Sequence, residues 1–251
     1  MILSIIIPCF NQVSQLFECL QSIRKQTFKS YEIILVDGGC SEDIIKYILI
    51  LKAENIHLIS EPDLGIYDAM NKGIDLAKGN WLYFIGVDDA FYDNNVLESL
   101  IFSFKKDDIK LIAGEIKYEF NNQDSIFVKK NKGLIKPIWS KKIWLRNTLH
   151  HQALFYHKSV FKQARFDIKY KILADYAFNI QLWKQQKPVL ILDRVIAKCG
   201  TQGVSKQYDF NLYWEELILK TRSSSVILFP LFVILSMVKY SFKKIEYFIS
   251  E

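Results

Sequence analysis

Four short apolar runs lie in the first ninety residues, and each of them ends at a polar or turn-forming residue. They cover residues 3–8, 31–36, 56–60 and 81–85 and are rich in β-branched and aromatic side chains, which predicts buried strands. After the first three runs, apolar residues recur at helical spacing, as Leu16, Leu20 and Ile23 do. Strands that alternate with helices predict an α/β fold with a parallel sheet and right-handed crossovers.

Acidic side chains stand where two of these predicted strands end. Asp37 follows the second run, and Asp88 and Asp89 follow the fourth after Gly86-Val87. The carboxyl ends of parallel strands border the crevice in which open α/β sheets bind ligands, and paired carboxylates there suit a divalent cation that bridges phosphates. Taken alone, the pair is also explained as the cap of a helix that begins near Asn94.

Several longer segments closely resemble the family-2, A-type inverting glycosyltransferases of bacterial surface-polysaccharide type. The similar segments are residues 4–11, 36–41 and 61–73 together with the Asp88-Asp89 pair. The resemblance implies a GT-A fold, with a Rossmann-like, mostly parallel sheet flanked by helices and a C-terminal helical tail. The chain departs from many relatives at Gly86, where they carry another Asp, and at Asp93, where they carry Pro.

The resemblance also implies a donor site for a nucleoside-diphosphate sugar. Asp37 would hold the base or ribose, Asp88 the ribose, and Asp89 an Mg²⁺ or Mn²⁺ ion. A carboxylate can accept a hydrogen bond from the N3–H of uracil, so the donor is expected to be a UDP-sugar. The full nucleotide-binding set is Pro8, Phe10, Asn11, Asp37, Gly65, Asp68, Asn71 and Asp88. Helix capping and packing are the alternative roles of Asp68 and Asn71.

The second half carries the expected acceptor side of the reaction. Residues 173–183 resemble the family helix whose first-turn acid is the general base, which makes Asp175 the expected catalytic residue, with a helix cap as the alternative. Residues 149–156 resemble the strand that leads to the acceptor, and they place His151 and Gln152 in the acceptor cleft. Residues 200–205 resemble a loop that closes over the diphosphate, although a surface turn explains their glycines equally well.

The composition fits one α/β catalytic unit. The chain has 251 residues, of which 50% are hydrophobic, enough for one large core. Its four cysteines show no metal-ligand spacing and no secretion signal is seen, so a cytoplasmic location is expected. We expect a catalytic domain at residues 1–205, with a nucleotide half at 1–100 and an acceptor half at 101–205. Residues 206–251 would form the helical tail.

An apolar segment at residues 226–238 lies in this tail and is followed by Lys239, Lys243 and Lys244. It has 13 residues and contains Pro230, whereas a membrane span needs about 20 residues. An interfacial helix at the inner membrane face, with residues 226–244 on the bilayer and the lysines toward anionic headgroups, is one interpretation. Packing on the catalytic domain or on a second subunit, as in a homodimer, is the other.

The expected function is transfer of a sugar, with inversion, from a nucleoside-diphosphate donor to a glycan or polyprenyl-linked saccharide acceptor. The alternative is a non-catalytic, membrane-associated module that binds sugar nucleotides. A dinucleotide-dependent oxidoreductase is excluded because the first strand runs into Pro8-Cys9-Phe10-Asn11 rather than GxGxxG. No nucleic-acid-binding motif is present.

Overall fold

The computed structural model describes residues 1–51, 53–118, 133–200 and 210–250. Its first half consists of strands that alternate with helices. The elements are β1 (Leu3–Cys9), α1 (Val13–Arg24), β2 (Tyr31–Asp37), α2 (Glu42–Leu51), β3 (Ile56–Ser60), α3 (Ile66–Leu76) and β4 (Trp81–Phe84). These strands are parallel in the order β3-β2-β1-β4, which confirms the parallel sheet predicted from the sequence pattern.

The second half continues the same sheet with antiparallel and parallel neighbours. Its elements are β5 (Ala90–Phe91), α4 (Val96–Ser99), α5 (Ile101–Phe104), β6 (Leu111–Tyr118), β7 (Leu134–Ile135), β8 (Leu154–His157), α6 (Ala174–Lys184) and β9 (Val189–Cys199). Strand β8 is antiparallel to both β4 and β6, and β9 is parallel to β6. Strand β5 pairs antiparallel with β9, and β7 pairs antiparallel with β6. Within the described residues, both halves therefore share one nine-stranded mixed sheet.

The sheet is buried on both faces, which explains why its central strands lack an alternating polar pattern. Along β1, Ile5 and Ile7 belong to one core cluster while Ile6 belongs to the other, because successive side chains point to opposite faces. Helix α3 packs closely on β1 through Gly73, where an added Cβ would lie 2.5 Å from Ile6 Cγ2. This close packing fixes the helix that carries Tyr67 and Asn71 over the carboxyl edge of the sheet.

The tail contains helices α7 (Phe210–Ser223) and α8 (Phe229–Ser250), which are joined by a 3₁₀ turn at Val226–Leu228. Glu216 Oε1 of α7 lies 2.6 Å from Lys220 Nζ and 2.5 Å from Lys239 Nζ of α8. Both amines also donate to the carbonyl oxygen of Leu145. Of the two interpretations of the tail, packing on the catalytic domain describes Lys239, because its ammonium group pairs with Glu216 and the Leu145 carbonyl oxygen.

None of the helices in the described residues has the length and apolar character needed to cross a lipid bilayer. The loop resembling a diphosphate-closing segment is described only at Gly200, since residues 201–209 lie outside the described residues. The domain limits near residues 100 and 205 stay predictions.

Candidate active site

The two acids after β4 converge on the backbone of Gly86. Asp88 is exposed, whereas Asp89 is only 5% exposed. A Cβ placed on Gly86 would lie 2.9 Å from Asp88 Oδ1 and 2.9 Å from Asp89 Oδ2, and the Gly86 N–H donates to Asp89 Oδ2 at 3.3 Å. The two carboxylates thus occupy the space into which a side chain at position 86 would project.

Asp89 lies in an environment that disfavours its negative charge. Burial and the neighbouring Asp88 charge raise its pKa to about 6, although His151, the Gly86 N–H and the Gln152 side chain act in the opposite direction. A divalent cation would relieve this repulsion, and two convergent carboxylates leave most of its coordination sites to phosphate oxygens and water. The pair therefore fits a metal shared with a diphosphate. Among the described residues, no group of three or more His, Cys, Asp or Glu side chains forms a complete protein metal site.

Asp37, at the end of β2, is fully buried and holds the turn that follows it. Its Oδ1 accepts from the Gly39 N–H at 3.1 Å, and its Oδ2 accepts from the Ser41 N–H at 2.7 Å and from Ser60 Oγ at 3.2 Å. These bonds fix the turn between β2 and α2 and tie it to β3. Direct contact between Asp37 and a base would require this turn to open, so that part of its expected role stays a prediction.

A second carboxylate, Asp63, lies against the same turn and is partly exposed. A Cβ on Gly38 would lie 1.8 Å from Asp63 Oδ2, while Asp63 Oδ1 accepts from the Gly65 N–H at 2.8 Å. Burial, followed by the charges of Asp37 and Asp63, raises the pKa of the Cys9 thiol to about 12. Two carboxylates, Asp37 and Asp63, thus lie close together at this end of the sheet.

The predicted base-binding turn follows β1. Pro8 is buried in the sheet, whereas Phe10 is 61% exposed and Asn11 is also exposed. Asn11 has a φ of 55°, and its Oδ1 would lie 2.4 Å from a Cβ on Gly39, so the two turns contact each other closely. The exposed ring of Phe10 is available to stack on a base at this edge.

Around the start of α3, Gly65 has open space beside it, whereas the side chains of Asp68 and Asn71 form hydrogen bonds within the protein. Gly65 has a φ of 122°, which favours glycine, and nothing lies within 4 Å of its would-be Cβ. Asp68 Oδ2 accepts from the Leu64 N–H at 3.0 Å, and Asn71 exchanges two hydrogen bonds with the backbone of Phe166, at 2.9 and 3.0 Å. Asp68 and Asn71 thus have structural duties here, and their contact with a nucleotide stays a prediction.

Asp175 lies in the first turn of α6 and is 5% exposed. The Tyr67 hydroxyl lies 2.9 Å from Asp175 Oδ1 and 2.7 Å from the Ile172 carbonyl oxygen. The other carboxylate oxygen, Oδ2, lies 3.4 Å from Asn147 Nδ2 and 3.4 Å from His151 Nδ1. Donors from both halves of the chain therefore surround this carboxylate.

His151 and Asp175 stabilise each other's charged forms. Burial raises the pKa of Asp175, but the hydrogen bond and charge of His151 and the Tyr67 hydroxyl outweigh it, so the pKa lies below its usual value. Burial lowers the pKa of His151, but Asp175, Asp89 and Asp88 outweigh it in turn and raise the pKa. The site thus holds an ionised carboxylate beside a histidine that favours its protonated form.

The two expected acceptor residues lie between Asp175 and the acid pair. His151 contacts Asp175, and the Gln152 side chain hydrogen-bonds Asp89. They occupy a 3₁₀ turn, His151–Ala153, directly before β8, which is placed beside β4 by antiparallel pairing. Because β8 pairs with β4, the turn before β8 lies between the end of β4 and the start of α6.

Three further residues belong to this site and were not predicted from the sequence: Asp63, Tyr67 and Asn147. Asp63 and Tyr67 lie in the segment 61–73 that carried the resemblance, and Asp63 two residues before Gly65 is a recognisable turn signal. Tyr67 and Asn147 carry no local signal, because their role depends on a contact with Asp175 across 108 and 28 residues of chain.

The fold has the architecture of a GT-A glycosyltransferase, and comparison with known proteins identifies the family. Residues 4–165 match the family described as Glycosyl transferase family 2, and the chain belongs to this family. A "PGL/p-HBAD biosynthesis glycosyltransferase" of Mycobacterium bovis (strain BCG / Pasteur 1173P2) is 31% identical over 201 residues, covering 75% of this chain and 71% of that protein.

Solved structures share the fold at low sequence identity. S. aureus TarS 1-349 in complex with UDP-GlcNAc superposes with a TM-score of 0.66 at 18% identity, covering 89% of this chain and 66% of that one. The mannosyltransferase PcManGT from Pyrobaculum calidifontis, in complex with GDP-Man and Mn2+, has a TM-score of 0.65 at 13% identity, covering 94% and 73%. These likenesses establish the GT-A fold, including the mixed sheet flanked by helices.

Proposed function

We propose that the chain transfers a sugar from a nucleoside-diphosphate donor to a hydroxyl group of a glycan or polyprenyl-linked saccharide, with inversion at the anomeric carbon. The observation that carries this proposal is the ionised Asp175, held by Tyr67, Asn147 and His151 and connected through His151 and Gln152 to the acid pair at the end of β4. An ionised carboxylate facing a donor site is the arrangement that direct displacement needs.

The donor would lie along the carboxyl edge of β1, β2 and β4. Phe10 would stack on the base, and the partly exposed carboxylate of Asp63, beside the turn that Asp37 holds, would accept its N3–H, which favours uracil. The open backbone at Gly65 would allow the diphosphate or sugar to approach α3 closely. The complexes of TarS with UDP-GlcNAc and of PcManGT with GDP-Man support a sugar-nucleotide donor in general.

Asp89, with Asp88 beside it, would hold a Mg²⁺ or Mn²⁺ ion together with the donor diphosphate. When bound, such an ion neutralises negative charge on the departing diphosphate. The positive charge of the ion would also offset the repulsion between Asp88 and Asp89. The Mn2+ complex of PcManGT supports a divalent metal in this fold.

Asp175 would act as the general base. Its carboxylate takes the proton of the acceptor hydroxyl while that oxygen forms a bond to the anomeric carbon and the bond from this carbon to the diphosphate oxygen breaks. The nucleoside diphosphate leaves in the same step, so the configuration inverts and no covalent enzyme intermediate forms. Tyr67 and Asn147 orient the carboxylate, and His151 keeps it ionised.

The alternative, a non-catalytic module that binds sugar nucleotides at the membrane, predicts binding without turnover. We favour the enzyme, because a binding module has no need of an ionised acid held beside the donor site. We further propose that the reaction takes place in the cytoplasm, next to the inner membrane face, where polyprenyl-linked acceptors are available.

A donor screen that measures released nucleoside diphosphate, followed by NMR of the product anomer, tests this proposal. The inverted anomer is expected from the active donor. Asp175→Asn keeps the shape of the side chain but cannot accept the proton, so turnover should fall by about a hundredfold or more while donor affinity stays unchanged. Asp167→Asn, an exposed acid eight residues away, is the matched control. Retention of configuration, or full turnover in Asp175→Asn, would exclude the mechanism.

A further inference from the structure

Helix α8 exposes apolar side chains along one face. We define the tail stripe as Ile227, Leu231, Ile234, Val238 and Phe242, which recur at intervals of three or four residues and so lie on one side of the helix and of the 3₁₀ turn before it. Ile227 is 87% exposed and Phe242 is 70% exposed, although both are large hydrophobic residues. The stripe is thus a continuous apolar surface over about four helical turns.

The opposite face of α8 points toward the protein and contains polar groups. Ser236 is buried beside Phe232, and Lys239 Nζ lies 2.5 Å from both Glu216 Oε1 and the Leu145 carbonyl oxygen. Rotating the helix to bury the stripe would break these hydrogen bonds. It would also remove Lys239 from the group that it forms with Glu216 and Lys220. The inner contacts therefore hold the apolar face outward, in reverse of the usual arrangement of a surface helix.

Basic residues predominate around the stripe. Residues 217–250 contain Lys220, Arg222, Lys239, Lys243 and Lys244 and a single acid, Glu246. Lys244 is exposed on α8, and Lys141 and Lys142 are exposed in the 3₁₀ turn that precedes Leu145. Because Leu145 is the residue that Lys239 contacts, these lysines lie on the part of the catalytic domain next to the tail.

Three tryptophans line a cleft beside this region. Trp139, Trp144 and Trp183 border a cavity of about 430 Å³ with Lys184 and Gln186. Trp144 directly precedes Leu145, and Lys184 Nζ donates to the Ser223 carbonyl oxygen at 3.0 Å, which ties the end of α6 to the end of α7. Partly exposed tryptophans next to apolar and basic residues are typical of surfaces at the boundary between lipid and water.

We propose that the tail stripe is a docking surface for a lipid bilayer with anionic headgroups. The stripe would lie in the boundary between headgroups and acyl chains, with Lys141, Lys142 and Lys244 at headgroup level. A second copy of the chain is a poorer occupant, because pairing two stripes would bring two sets of like-charged lysines together. Membrane docking rests on the tail and its neighbours alone, so it holds or fails independently of the proposed transfer reaction.

Flotation of the full-length protein with vesicles tests this inference. We expect the protein to float with vesicles of phosphatidylcholine and phosphatidylglycerol, and less with vesicles of phosphatidylcholine alone. The double variant Ile234→Glu with Phe242→Glu should lose the floated fraction, because it places two charges in the stripe. The matched control is Ile50→Glu with Phe102→Glu, which adds the same charge at positions that are 78% and 81% exposed elsewhere, and it should float as the unchanged protein does.

Two results would overturn the inference. One is that the unchanged protein stays at the bottom of the gradient with anionic vesicles. The other is that the stripe variant floats as well as the control. Sedimentation analysis of the same proteins without lipid identifies the competing occupant: a dimer that dissociates only in the stripe variant would assign the stripe to a second copy and contradict docking to lipid.

Discussion

The hydroxyl of Tyr67 lies 2.9 Å from Oδ1 of Asp175, and this contact joins the two halves of the chain at the proposed general base. Tyr67 belongs to α3, which packs on β1 through Gly73, whereas Asp175 begins α6. A helix that borders the donor edge of the sheet therefore also orients the group that would activate the acceptor. Both residues are buried, so the contact is shielded from water and from salt.

Tyr67→Phe should weaken catalysis without affecting donor binding. The change removes a hydrogen bond to a charged group, worth about 1.5 to 3 kcal/mol, and turnover should fall by roughly tenfold or more. Tyr31→Phe, which removes another buried hydroxyl bonded to the Ile23 carbonyl, is the control and should keep full turnover. Steady-state kinetics of nucleoside diphosphate release, with UDP affinity from calorimetry, separates the two effects. Equal turnover in both variants would remove Tyr67 from the catalytic network.

His151→Gln should shift the pH dependence of the reaction. His151 lowers the pKa of Asp175 against the effect of burial, so its removal raises that pKa. The reaction needs the ionised carboxylate, and the acid limb of the kcat/KM profile should therefore move to higher pH. His157→Gln, at the far end of β8 against Trp81, should leave the profile unchanged. An unshifted acid limb in His151→Gln would contradict the assigned pair.

Asp89→Asn should remove the effect of divalent metal on donor binding. The substitution keeps the size of the side chain but removes the charge that would hold the cation with the diphosphate. Calorimetric titration with UDP, with and without Mn²⁺, should show metal-enhanced affinity in the unchanged protein and little enhancement in the variant. Asp108→Asn, an exposed acid after α5, provides the control. Enhancement of equal size in Asp89→Asn would place the metal elsewhere.

Glu216→Gln should destabilise the tail, whereas Lys220→Met should be tolerated. Burial lowers the pKa of Lys220 to about 8 despite the charge of Glu216, which indicates a costly position for a cation. Removing the Glu216 charge leaves two lysines without their anionic partner, at a cost of about 3 to 5 kcal/mol, while an apolar residue at 220 leaves the Glu216–Lys239 pair intact. Urea unfolding of both variants measures the difference. A milder effect for Glu216→Gln than for Lys220→Met would refute this order.

The sequence by itself determined the local elements and where their polar ends lie. The apolar runs at residues 3–8 and 81–85 predicted buried strands, and the structure confirms β1 and β4 as parallel neighbours. The acids at positions 37, 88 and 89 were predictable at the carboxyl edge, because strand periodicity and strand polarity are local properties of the chain. The resemblance of residues 4–11 and 61–73 similarly identified the family.

The tertiary structure decided which of these residues contact each other and which of their polar atoms are already hydrogen-bonded within the protein. Asp37 stands in a recognisable motif, but only the folded turn shows that both of its oxygens are bonded to neighbouring groups. Lys239 follows an apolar segment as a membrane-facing lysine would, yet the packing of α8 turns it toward Glu216. In each case a charged side chain has several possible partners, and long-range packing selects among them.

Tyr67 and Asp175 show the physical reason for this division. Their contact depends on α3 packing on β1 and on β8 inserting antiparallel between β4 and β6, so that the turn before β8 carries His151 to the site. Side-chain periodicity is set by the backbone dihedrals of a few consecutive residues. The order of strands in the sheet depends on the burial of all its faces at once, and no short segment of the chain encodes it.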